Sequence, residues 1–130
     1  MTSRIISLLI LIVSFVAPVS TSAAKPQPAI EMASTYHDFG TIKASGGPVT
    51  ARYELTNTGS SPLVIINVTN GGCGCTTPEY PKQPVAPGKS ATITITFDPT
   101  GRRGEFNREV KVKTNAGKRL SLRFSGVVVP

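Results

Sequence analysis

Residues 91–97 read Ala91-Thr92-Ile93-Thr94-Ile95-Thr96-Phe97, with apolar and hydroxyl side chains alternating without a break. Period-two alternation places Ala91, Ile93, Ile95 and Phe97 on one face of an extended chain and the threonines on the other. The β-branched residues favour that backbone. A strand with one dry face must bury it against another layer, so the stretch predicts a protein of packed sheets.

The same period continues on either side. In residues 50–56, Ala51, Tyr53 and Leu55 alternate with Thr50, Arg52, Glu54 and Thr56. Residues 63–68 are apolar on both faces, which predicts a central strand covered from two sides, or one covered by the linker. Pro78, Pro81, Pro84 and Pro87 lack amide donors, so their segment is expected to be a loop or an edge. Asp98-Pro99-Thr100-Gly101 ends the 91–97 strand. Residues 106–114 and 119–128 are joined by Asn115-Ala116-Gly117-Lys118, whose Asn and Gly tolerate positive φ, and they predict a hairpin.

No segment shows helical spacing. About seven short antiparallel strands in roughly a hundred residues, punctuated by Gly, Pro and Asn turns, describe an immunoglobulin-like β-sandwich, here over residues 30–130. The chain has no tryptophan and only two cysteines, at 73 and 75. An inter-sheet disulfide is therefore excluded, and the core must hold by apolar burial.

With 130 residues, 39% hydrophobic and 16% charged, the chain has material for one domain. Residues 1–24 read as a secretory signal peptide: Arg4 opens it, residues 5–17 are apolar or small, and Ser22-Ala23-Ala24 offers a cleavage site. That apolar run is too short to span a bilayer comfortably. Cleavage after Ala24 would leave residues 25–29 as a proline-containing linker. No cysteine precedes Cys73 to accept a lipid. The expected address is periplasmic or secreted, without stable membrane insertion after cleavage.

Residues 71–80, GGCGCTTPEY, hold both cysteines. On an extended segment, residues i and i+2 share a face with Cα atoms almost seven ångströms apart, by about two residue rises. That is the outer limit for a disulfide, so a local bridge needs a tight turn, which Gly71, Gly72 and Gly74 permit. Three readings stay open: a packed or bridged turn, a soft-metal site, and a thiol-redox site. As soft ligands, Cys73 and Cys75 suit Cu(I) better than zinc, because His37 adds only a third candidate ligand and Met32 does not suit zinc.

His37 is the only histidine and adjoins Asp38. A surface or capping role is its ordinary reading. No Gly-x-Ser-x-Gly elbow, His-Glu-x-x-His helix or phosphate-binding glycine loop occurs, so no catalytic residue is assigned and an enzyme is not expected. Without Arg4 the chain carries 13 Lys and Arg against 7 Asp and Glu. Eight of those cations lie in residues 102–123. If Lys111, Lys113 and Arg123 share one face, they form a patch for an acidic protein or an anionic envelope polymer. Nucleic acid is not an expected partner, because aromatic residues do not interleave with these cations.

The elements His37-Asp38-Phe39-Gly40-Thr41-Ile42, Thr56-Asn57-Thr58-Gly59, Pro62-Leu63-Val64-Ile65, Cys73-Gly74-Cys75-Thr76, Pro87-Gly88 and Phe124-Ser125-Gly126 occur in that order. Together they resemble a bacterial exported family, domain-of-unknown-function family 1573, over residues 30–128. Cys-Gly-Cys-Thr is the most specific of them. The resemblance implies a Hydin-like immunoglobulin-type sandwich with no established activity, and it lends no catalytic role to any residue. Gly72 stands where many members have serine. The functional expectation is a non-catalytic binding or scaffold module of the cell envelope, with a Cu(I) or thiol-redox site at the Cys-Gly-Cys turn as the alternative.

Overall fold

The computed structural model describes residues 12–18 and 25–130. Most of the expected signal peptide, including the cleavage site, lies outside the described residues. Among them, no helix is long and apolar enough to cross a membrane.

The described residues form eight strands: β1 (Ile30–Met32), β2 (Tyr36–Lys43), β3 (Val49–Asn57), β4 (Ile65–Val68), β5 (Thr76–Glu79), β6 (Ser90–Phe97), β7 (Gly104–Thr114) and β8 (Leu120–Val129). They make two four-stranded sheets, ordered β1-β3-β6-β5 and β2-β8-β7-β4. The 91–97 alternation is borne out, because Ile93, Ile95 and Phe97 are fully buried. Opposite them, Ala51 pairs with Ile95 and Tyr53 with Ile93 in antiparallel register. From the other sheet Val110, Val112, Leu122 and Phe124 complete the core. Burial of such side chains contributes about 1.5–3 kcal/mol each.

Three details differ from the sequence reading. The strands number eight, and β2 pairs with β8 in parallel, not antiparallel. The chain crosses from one sheet to the other after β1, so β2 arrives beside β8 without a tight turn between them, which is what parallel neighbours require. Residues 63–68 are not a central strand. Only Ile65–Val68 is strand, it lies at a sheet edge, and Ile66 is 50% exposed. Its two apolar faces have different causes: Ile65 and Val68 enter the core, while Ile66 faces solvent. The proline-rich segment does supply an edge, with β5 pairing to β6 and Pro78 opposite Ile95.

Two sets of connections define the ends of the sandwich. At one end Asn57 is fully buried and its side-chain amide donates to the carbonyls of Ser61 (2.8 Å) and Val85 (2.9 Å). Its Oδ1 accepts from the Gly59 amide at 3.0 Å and more weakly from Ala29 at 3.4 Å. Residues 25–29 contain no strand, yet Thr58 and Ser60 donate to the carbonyls of Ala29 and Gln27. At the other end, Thr76 opens β5 opposite Phe97, the last residue of β6. The β4–β5 and β6–β7 connections therefore cross between the sheets side by side.

Candidate functional site at the Cys-Gly-Cys crossover

The β4–β5 crossover folds locally through Asn70. Its Oδ1 accepts from the Gly72 amide at 2.9 Å and its carbonyl from the Cys73 amide at 3.3 Å. Gly71 and Gly72 both adopt positive φ, +68° and +81°. A Cβ on Gly71 would sit 2.7 Å from the Glu109 carbonyl oxygen. Positive φ costs an L-residue roughly 1–2 kcal/mol, which gives glycine at 72 a conformational reason.

This turn brings the Cys73 and Cys75 Cα atoms to 5.2 Å, and the two sulfurs are joined as a disulfide. That separation lies inside the usual range for a bridge. Cys75 packs against the core, its carbonyl accepts from the Asp98 amide at 2.8 Å, and both cysteines are half-buried. Beneath them Phe97 stacks on Phe106 with centroids 4.4 Å apart, and Phe124 lies 5.7 Å from Phe97.

The β6–β7 crossover supplies Arg102. Its Nη2 donates to Cys73 Sγ at 3.0 Å, and the Cys75 amide donates to the same sulfur at 3.2 Å. The guanidinium lies 6.0 Å from the Phe97 ring centroid. Asp98 stands on the same crossover. Hydrogen bonds from the Thr100 side chain and amide hold its carboxyl below the usual range, and the charge of Arg102 adds to the effect. Cys75 Sγ has a different environment, with Thr76 Oγ1 at 3.6 Å and the core behind it. The two sulfurs are chemically unequal.

His37 is placed elsewhere. It lies on β2 in register with Phe124, and its ring meets Phe39 edge-on at 4.5 Å. Asp38 accepts from the Gly40 amide instead. Among the described residues no group of three His, Cys, Asp or Glu side chains converges as a metal site. Cu(I), the metal the two sulfurs would favour, needs thiolates and hence the reduced pair.

The basic hairpin does present Lys111 and Arg123 outward, but Glu109 forms ion pairs with both, to Arg123 at 3.0 Å. Lys111 first, then Ser121 and Arg123, hold the Glu109 carboxyl below its ordinary range. In the sequence Arg102 stands only as one of the eight cations of residues 102–123. Nothing in its local sequence signals a sulfur partner 29 residues away.

Two antiparallel-dominated sheets packed face to face define an immunoglobulin-like β-sandwich. The chain belongs to the family described as "Protein of unknown function (DUF1573)", whose model matches residues 30–128. No curated protein matches its sequence. It is similar in structure to a protein of unknown function from Porphyromonas gingivalis W83 (TM-score 0.68, 21% identity, covering 83% of this chain and 51% of that one). It is also similar to the VesB protease of Vibrio cholerae (0.61, 15%, 78% and 32%). A third likeness is to the human CEP192 ASH/PapD-like domain 7 (0.60, 17%, 88% and 95%). The chain thus spans about half of the first and a third of the second. At such identities the likeness shows the fold alone.

Proposed function

We propose that the chain is a non-catalytic, exported immunoglobulin-like module of the cell envelope that captures an extended segment of a partner protein along its β2 edge. The observation that carries this reading is the length of that edge. β2 runs for eight residues, whereas the other edge strands, β1, β4 and β5, have three, four and four. Among the described residues no strand pairs with the far side of β2. An open edge offers main-chain donors and acceptors to an incoming strand, with side chains adding selectivity. Tyr36 at the start of β2 is 52% exposed, with its hydroxyl bonded to Ser125 on β8.

A register shift between Asp38 and Thr41 divides the edge into two arms, so a partner strand would pair along one arm at a time. Docking of an anionic polymer on the hairpin is the weaker reading, because Glu109 already engages Lys111 and Arg123. Site-specific photo-crosslinkers at Tyr36 and Thr41, compared with Thr77 on β5 and Lys113 on β7, test the proposal in the exporting cell. Discrete protein adducts confined to the β2 positions are expected. Equal yields at all four positions, or none from β2, would overturn it.

A further inference from the structure

We infer that the Cys73–Cys75 bridge is a thiol–disulfide exchange site that accepts two electrons from a dithiol, with Arg102 stabilising the Cys73 thiolate that exchange produces. This is independent of strand capture at β2. A stapling role is small on physical grounds: the bridge joins residues two apart, and the entropy a disulfide removes from the unfolded chain shrinks with the loop it closes. Both cysteines are half-buried, and the turn around them is open to solvent. Gly71, Gly72 and Gly74 are exposed, and an added Cβ at Gly72 or Gly74 meets nothing within 4 Å.

The asymmetry of donors sets the direction of bond cleavage. Arg102 Nη2 and the Cys75 amide both aim at Cys73 Sγ, while Cys75 Sγ has only a hydroxyl and apolar neighbours. A disulfide sulfur is a weak acceptor, and a thiolate is a strong one with a full charge. The same two donors therefore bind the reduced site more tightly than the oxidised site.

In the first step the dithiol loses one proton to solvent, and the thiolate so formed attacks Cys75 Sγ. The S–S bond breaks, its electron pair leaves on Cys73 Sγ, and a mixed disulfide forms at Cys75. In the second step the partner's remaining thiol gives its proton to solvent and attacks its own sulfur in the mixed disulfide. Cys75 is released and takes a proton from water. The dithiol ends as a disulfide, the protein as a Cys73 thiolate and a Cys75 thiol, and one proton remains in solution.

The test equilibrates the mature chain with mixtures of reduced and oxidised dithiothreitol, traps thiols by alkylation and reads the mass. Arg102→Met keeps an apolar stem near Phe97 and removes the charge, and Arg102→Lys restores the charge. Arg102→Met should need about tenfold more reduced dithiothreitol for half-reduction, the scale of one hydrogen bond to a charged group. Arg102→Lys should recover most of that difference. In the reduced protein, the pH profile of Cys73 alkylation should have its midpoint below the free-thiol value of about 8.5 and move up in Arg102→Met. Arg102→Gln serves the same comparison if the Met variant fails to fold. Coincident redox curves for the parent and the uncharged variant, or reduction that occurs only when the sandwich unfolds, would overturn the inference.

Discussion

Tyr53 Oη, on β3 of one sheet, donates a hydrogen bond of 2.7 Å to the carbonyl of Arg123, on β8 of the other. It is a polar tie between the sheets within the cluster of apolar core residues. Tyr53 is 1% exposed, and burial pushes its phenol pKa up to about 12. Removing the hydroxyl in Tyr53→Phe leaves the ring in place and one carbonyl less well satisfied. It should cost about 1 kcal/mol in chemical denaturation. The ionised phenol is favoured in the unfolded chain, so the Tyr53 contribution is complete below pH about 10 and is lost as pH rises towards 12. That alkaline loss should diminish in Tyr53→Phe.

Asn57 gathers more of the fold than a turn residue would. Its side chain is bonded to Ser61, Val85 and Gly59, and to Ala29 more weakly. Asn57→Ala strips partners from buried backbone groups and should destabilise the domain by about 2–4 kcal/mol, at roughly 1 or more per bond lost. Amide hydrogen exchange should show the loss first around residues 27–29 and 59–61.

Gly71 and Gly72 should respond differently to alanine. Both need positive φ, but only Gly71 meets the Glu109 carbonyl. Gly72→Ala should lose about 1–2 kcal/mol, and Gly71→Ala distinctly more. Thermal unfolding of the oxidised proteins measures both.

Acid should weaken the fold through Asp98 and Glu109. Both carboxyls lie below their ordinary pKa in the folded chain, Asp98 through Thr100 and Glu109 chiefly through Lys111. A depressed carboxyl contributes stability above its unfolded pKa and loses it as pH falls through the folded one. Denaturation midpoints should therefore decline below pH about 4, the unfolded carboxylate range. Glu109→Gln should flatten that decline, and added salt should shrink the difference because the pairs are at the surface.

The proposed export makes its own prediction. The mature protein recovered from the periplasm or medium should begin at Lys25, as read by N-terminal sequencing. A chain retaining Met1 would contradict the signal-peptide reading.

The sequence made the inner strands visible because their environment is periodic. Ile93, Ile95 and Phe97, like Ala51, Tyr53 and Leu55, alternate with polar neighbours because one sheet face is dry and the other wet. Where burial is irregular the pattern misled: Ile65 and Ile66 look alike, but only Ile65 is in the core. The parallel placement of β2 beside β8 depends on a crossover that leaves no periodic trace. The cysteine turn was visible as a glycine-rich hinge, and a bridge needed the tight turn that the structure has. Arg102 was not visible as its partner, because adjacent crossovers bring it to Cys73 and only the assembled strand order makes them adjacent.

The bridged turn is tested most directly by treating the purified protein with an alkylating reagent in denaturant, without reductant, and mapping the peptide that contains residues 73 and 75. An unmodified peptide, lighter than its dithiol form by the hydrogens lost on bridging, and labelled at both cysteines only after reduction, is the predicted result. Labelling of both thiols before reduction, or a cross-linked dimer of chains, would contradict it.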